Sequence, residues 1–103
     1  QQPTDVTSRR RHQLALEPIY PNPTNPSATI EFALPRAIAV QVNVYDARGR
    51  RIRQLATGVH PAGAHRLRWD GSTDDGQAAG SGVYWIRMHT AQKSFARKLI
   101  LVR

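Results

Sequence analysis

The chain has 103 residues, room for one domain with one core, and 40% of them are hydrophobic while none is cysteine. Those figures exclude a disulfide framework and a thiolate metal site, and no apolar run reaches the roughly 18 to 20 residues that a membrane helix needs. Fifteen Lys and Arg, nearly all Arg, stand against seven Asp and Glu, a balance that attracts nucleic acid, an anionic membrane or acidic polysaccharide without selecting among them.

Residues 1–13 mix Gln, Pro, Thr and Ser with the run Arg9-Arg10-Arg11 and have little to bury, which predicts a disordered linker with a solvated basic run. They hold no apolar stretch of the secretory kind, so targeting information is expected elsewhere. Leu14 and Leu16 open the folded part as a short strand that Pro18 ends. Tyr20-Pro21-Asn22-Pro23-Thr24-Asn25-Pro26 then reads as a stiffened turn in which Tyr20 packs down as an anchor.

Period-2 alternation carries the rest. Ile30, Phe32 and Leu34 share one face of a strand from Ser27 to Leu34, and Ile38, Val40, Val42 and Val44 share one face of the next. Asp46-Ala47-Arg48-Gly49 supplies a hairpin turn with Gly49 in the left-handed region. Ile52 and Leu55 both look inward at a spacing of three, which a β-bulge near Arg53-Gln54 reconciles. Pro61-Ala62-Gly63 marks a turn before the strand Ala64 to Trp69, where Leu67 and Trp69 point inward.

Trp69 to Tyr84 is rich in turn residues, with Gly71, Gly76, Gly80 and Gly82 at places suited to positive φ and with Asp and Ser to bond nearby amides. The two aromatics bracket this loop, and their polar ends need partners if the rings are buried. Beyond it Tyr84, Ile86 and Met88 form one face and Val83, Trp85 and Arg87 the other, with the core face open between them. Leu99-Ile100-Leu101-Val102 is continuously apolar, which predicts a last strand covered on both faces. The whole predicts an all-β, immunoglobulin-like antiparallel sandwich of about seven strands, without helix, spanning residues 14–103 as one monomeric domain.

Reactive constellations are sparse. His12, His60, His65 and His89 are scattered, and although His65 and His89 could meet across a sheet, no triad or third metal ligand accompanies them. Glu17 and Glu31 are the only glutamates, too little to define an acid/base pair. Asp70, Asp74 and Asp75 in one Gly-containing loop are calcium candidates. Their spacing departs from the EF-hand, and the competing reading is that they cap the loop's own amides. No cofactor and no enzymatic activity are expected. Trp85 and Tyr45, with Tyr20, suggest an outward aromatic row for stacking sugars. Outward Arg51, Arg53, Arg66, Arg68 and Arg87 make a basic face, but nothing here resembles a specific nucleic-acid reader.

The motifs in order are Tyr20 to Ile30, Val44-Tyr45-Asp46-Ala47-Arg48-Gly49-Arg50, Pro61-Ala62-Gly63, Trp69-Asp70-Gly71, Gly80-Ser81-Gly82-Val83-Tyr84 and Lys98-Leu99-Ile100-Leu101-Val102-Arg103. Together they resemble the C-terminal sorting domain of proteins exported by the type IX secretion system. The related immunoglobulin-like domain of the flagellar hook-assembly protein shares the portion from Trp-Asp-Gly to Gly-Val-Tyr, and the Trp-Asp-Gly loop leans towards that variant. The resemblance covers residues 18–103.

It implies a non-catalytic module at the end of a large secreted protein of the Bacteroidetes lineage or its relatives, often a protease or a polysaccharide-degrading enzyme. The implied partners are the outer-membrane translocon, a sortase-like peptidase that removes the domain and attaches the cargo to surface lipopolysaccharide, and the upstream domains of the same chain. Gly82, Tyr84 and the tail Lys98, Leu99, Ile100, Leu101, Val102 and Arg103 are the implied recognition residues, with Arg103 keeping the charge of the terminal Lys frequent in the family. Secretion to the surface or medium is the implied localisation; a sorting signal is expected to end at the native C-terminus, whereas a sugar binder needs Trp85 and companions in an exposed row. A carbohydrate-binding accessory module of a secreted glycoside hydrolase, and a plain interdomain spacer, are the alternatives.

Overall fold

A computed structural model describes residues 13–103. The expected linker lies almost wholly outside the described residues, as does His12. Seven strands follow in chain order: β1 (Ala15–Leu16), β2 (Ala28–Leu34), β3 (Ile38–Asp46), β4 (Arg51–His60), β5 (Gly63–Trp69), β6 (Gly82–His89) and β7 (Ser94–Leu101). They form two antiparallel sheets, ordered β1-β2-β5 and β4-β3-β6-β7, and no helix occurs among the described residues. The chain changes sheet after β2, after β4 and after β5, so the sheets are stitched together by Pro35 to Ala37, by the turn at Pro61-Ala62 and by the long loop after Trp69.

Alternation builds the core between them. Ile30, Phe32, Leu34 and Trp69 come from one sheet, and Val40, Val42, Val44, Ile86, Met88, Leu99 and Leu101 from the other, all almost fully buried. The face of β6 left open by alternation is thereby settled: Tyr84, Ile86 and Met88 point in. Leu16 and Ile19 close the core beside β2, while Ile52 and Leu67 are only half-buried at its margin. Tyr20 does not pack down. It is exposed, its neighbour Ile19 takes the buried position, and the Tyr20 hydroxyl donates to Glu31 Oε2 at 3.0 Å.

Two features of the strands depart from expectation. Pairing of β3 with β4 slips twice, because Val42 faces Ala56 while Asn43 faces Gln54, and Val44 faces Arg53 while Tyr45 faces Arg51. Leu55 and Ile52 are thus the extra residues of two bulges, one on each side of the expected bulge at Arg53-Gln54. Each bulge turns two successive residues of β4 toward the core side, which lets Ile52 and Leu55 pack there at a spacing of three. The tail is the other departure. Leu99 and Leu101 are buried, but Ile100 is 37% and Val102 47% exposed, because β7 is the edge of a sheet with one face on the core and the other open.

Candidate functional site

The loop from Trp69 to Tyr84 folds over its two bracketing rings, which meet edge to face with centroids 5.4 Å apart. Both polar ends are satisfied by the loop itself: Trp69 Nε1 donates to Ser72 O at 2.8 Å and the Tyr84 hydroxyl to Gly80 O at 2.6 Å. Burial, with the nearby Asp46 charge, raises the Tyr84 pKa above its ordinary value. Gly71 and Gly76 take positive φ as expected, but Gly80 does not.

The three aspartates of the loop turn to different neighbours. Asp70 Oδ1 accepts from the Ser72 amide and hydroxyl, Asp74 Oδ1 from the Gln54 amide across to β4, and Asp75 Oδ1 from the Thr73 hydroxyl. The Ser72 hydroxyl chiefly holds the Asp70 carboxyl below its usual range, and the Thr73 hydroxyl does so for Asp75. Among the described residues no three His, Asp or Glu converge in a cluster that could hold a metal ion. Asp74 instead ties the loop to the edge of β4, where its own amide donates to Ile52 O at 2.9 Å and Arg53 donates to Ser72 Oγ at 2.8 Å.

The tail is locked rather than displayed. Asn22 Nδ2 donates to Lys98 O at 3.0 Å and Asn22 Oδ1 accepts from the Ile100 amide at 2.9 Å. Two residues on, Thr24 N donates to Ile100 O and Thr24 O accepts from the Val102 amide, at 2.8 and 2.9 Å, in a parallel bridge. The outer edge of β7 from Lys98 to Val102 is therefore already occupied. Every residue preceding a proline is biased to extended backbone, and Tyr20-Pro21-Asn22-Pro23 repeats that bias; this was the available signal that the segment is an edge cover and not merely a turn.

Arg103 completes the lock. Its Nε donates to Ala79 O at 2.5 Å, its Nη2 to Gly71 O at 2.6 Å and its amide to Ser81 Oγ at 2.9 Å. A Cβ on Gly71 would come within 2.9 Å of both Arg103 Nη2 and Pro26 Cβ, so a glycine with φ of +82° is what admits the guanidinium. Of the implied recognition residues, Tyr84, Leu99 and Leu101 lie in the core, Gly82 pairs with Leu101, and Arg103 is spent on the loop. Lys98, Ile100 and Val102 present side chains outward.

Tyr45 and Trp85, the candidate stacking pair, are direct cross-strand neighbours on the outer face of the four-stranded sheet. Both are half-buried, and the Arg87 guanidinium lies 5.4 Å from the Tyr45 ring centroid. Tyr20 is not in this row; it borders a shallow concavity on the opposite sheet, lined by residues that include Glu17, Glu31, His65 and Arg66. There Glu31 is committed to Arg66 Nε at 3.0 Å and to Tyr20, whose pKa the Glu31 hydrogen bond raises. His65 and His89 do not meet. His65 packs against His60, with ring centroids 5.6 Å apart, and His89 turns to Ser94 Oγ.

Two facing antiparallel sheets, joined by a self-satisfied turn loop and closed along one edge by a proline-rich segment, define a β-sandwich module of the immunoglobulin-like class. The profile of the FlgD Ig-like domain matches residues 22–94, and the chain belongs to that family. Among solved structures it is similar to part of PorU from Porphyromonas gingivalis, at 26% identity and a TM-score of 0.67 over 82% of this chain and 9% of PorU. Part of PorZ from the same organism, an essential bacterial surface component of its type IX secretion system, matches at 26% identity and a TM-score of 0.59, over 82% of this chain and 11% of PorZ. FlgD from P. aeruginosa matches at 26% identity and a TM-score of 0.56, over 72% of this chain and 58% of that one. The chain thus spans about a tenth of the length of PorU and PorZ. No curated protein matches it.

Proposed function

We propose that the chain is a non-catalytic sorting and cell-surface attachment module of a larger protein exported by a type IX secretion system. The observation that carries this reading is the likeness of most of the chain to a small part of PorZ, a surface component of such a system. The ordered motifs from Tyr20 to Arg103 support it, as does a fold whose polar groups are largely spent on its own loops and edges. The translocon and a sortase-like peptidase are the corresponding partners, and the setting is the cell surface or medium.

In this reading the partners contact the outward side chains Lys98, Ile100 and Val102, a choice supported by the bonds from Asn22 and Thr24 that strand addition to β7 would have to displace. The test is to place the 103-residue chain after a periplasmic reporter in a type IX host. The reporter is expected at the surface or in the medium. A triple variant, Lys98→Ala with Ile100→Ser and Val102→Ser, alters only outward side chains and is expected to melt near the parent while leaving the reporter in the periplasm. Retention of the unaltered fusion in the periplasm would sink the sorting reading, and delivery of the triple variant would show that the tail is not what is read.

A further inference from the structure

Register arranges the outer face of the four-stranded sheet in rows. Tyr45 lies between Arg51 on β4 and Trp85 on β6, and Trp85 lies beside Lys98 on β7. In the next row Asn43 sits between Gln54 and Arg87. None of these residues is acidic, and Arg51, Arg87 and Lys98 enter no ion pair among the described residues. The opposite sheet differs, since its outer face carries Glu31 paired with Arg66.

Asn43 is the unexplained member. It stands on the outward side of the central strand yet is only 1% exposed, and its Oδ1 has no hydrogen-bond partner among the described residues. A buried acceptor left unpaired weakens a fold, and an apolar side chain of similar shape would serve the sheet better. The amide therefore points to a donor that comes from outside the sheet. Its cross-strand neighbours are Gln54 and Arg87, and the Arg87 guanidinium lies over the Tyr45 ring.

We propose that this face binds an acidic polysaccharide of the uronate type. The half-exposed rings of Tyr45 and Trp85 offer apolar surface for the C–H faces of successive sugars. Arg51, Arg87 and Lys98 surround them, and an Arg fork matches a carboxylate bidentately. When Arg87 leaves Tyr45 for a uronate, a sugar hydroxyl can donate to Asn43 Oδ1. From Tyr45 to Gln41 the track runs about 14 Å at the rise of an antiparallel strand. It ends in a shallow concavity whose lining includes Gln41, Thr57 and His89, polar side chains that suit further hydroxyls. A single-stranded nucleic acid is disfavoured because it calls for a groove that follows the phosphates and for a succession of stacking rings.

The site stands whether or not the module is a sorting signal, and its test is separate. Titrate the purified chain with polygalacturonate, with dextran as the neutral glycan and oligo-dT as a competing polyanion. Polygalacturonate is expected to bind, dextran not, and oligo-dT at least about tenfold more weakly than polygalacturonate, the equivalent of one RT ln 10 step. Trp85→Ala and Arg87→Gln are each expected to cost about tenfold in affinity, on the scale of a lost stacking or charge-assisted contact. Asn43→Val is expected to weaken binding several-fold while melting is unchanged or raised, a pair of opposite effects that a purely structural amide would not produce. Should Trp85→Ala fail to fold, Arg87→Gln and Asn43→Val decide the matter. Equal binding of oligo-dT, undiminished affinity in the folded variants, or no binding to polygalacturonate overturns the proposal.

Discussion

Single side chains fix the loop from Trp69 to Tyr84 from both ends. Trp69 is wholly buried, and truncating a buried aromatic leaves a cavity that its neighbours fill only in part, so Trp69→Ala is expected to cost about 3 to 5 kcal/mol in denaturant unfolding. Arg103 acts at the other end, where its fork serves two loop carbonyls. Arg103→Lys keeps the charge but not the fork, and a loss of about 1 kcal/mol should appear as a fall of roughly 4 to 8 °C in melting temperature. Lys98→Ala, at an outward side chain, should melt with the parent, and equal behaviour of the two variants would refute the clamp. Stability should also bend with pH at both extremes. The folded state holds Asp46, Asp70 and Asp75 below their ordinary range, Asp46 chiefly through the Arg50 amide. Their contribution is present above the unfolded carboxylate pKa of about 4 and is lost as pH falls through the lower folded values. Tyr84 is raised by burial, so its contribution is present below the unfolded tyrosine pKa of about 10 and is lost as pH climbs through the folded value. Melting curves from neutral pH in both directions check this, and a Tyr84→Phe variant should blunt the alkaline limb.

The elements were legible wherever a strand has one dry face. Alternation in Ile30-Phe32-Leu34 and Val40-Val42-Val44 located β2 and β3, and the spacing of Ile52 and Leu55 announced irregular pairing, though one bulge was expected and two occur. Alternation says nothing of which strands are neighbours, so Leu99 to Val102 read as a covered strand when β7 is in fact an edge with Ile100 and Val102 outward. Nor does it reveal side chains that imitate backbone. Asn22 bonds β7 with its amide, and Arg97 donates through Nε and Nη2 to Leu16 O at 3.0 and 2.8 Å, bridging the sheets. The candidate site was legible only in its parts. Tyr45 and Trp85 could be named from residue type, but their adjacency is a matter of register, and the orphaned amide of Asn43 is a matter of burial. Of the loop aspartates, Asp70 caps a loop amide as turn chemistry expects, whereas Asp74 reaches across to an amide of β4. Their oxygens are engaged with Ser72, Thr73 and Gln54, so adding EDTA or calcium is expected to leave the melting temperature unchanged; a drop with chelator that calcium reverses would contradict this.

At the scale of the molecule, Asp46, Asp70, Asp74 and Asp75 gather at the hairpin turn and the long loop, where Asp74 and Asp75 share a shallow concavity with Arg51, while the rows of Tyr45 and Asn43 hold no carboxylate among the described residues. The two ends of the fold, by contrast, are neighbours. The segment between β1 and β2 and the last strand lie side by side and parallel at Thr24 and Leu101. Tension applied between residues 13 and 103 must first free β1 and Tyr20 from β2, and it then draws the two parallel neighbours in opposite directions along their own length. The bonds from Asn22 and Thr24 to Lys98, Ile100 and Val102 are then loaded together in shear, whereas an antiparallel pair pulled from one end would open one bond at a time. The seam is expected to make the domain mechanically stiff out of proportion to its thermal stability. In single-molecule stretching across the whole domain, Asn22→Ala should lower the unfolding force by a larger fraction than Arg103→Lys does, even where the two variants melt alike.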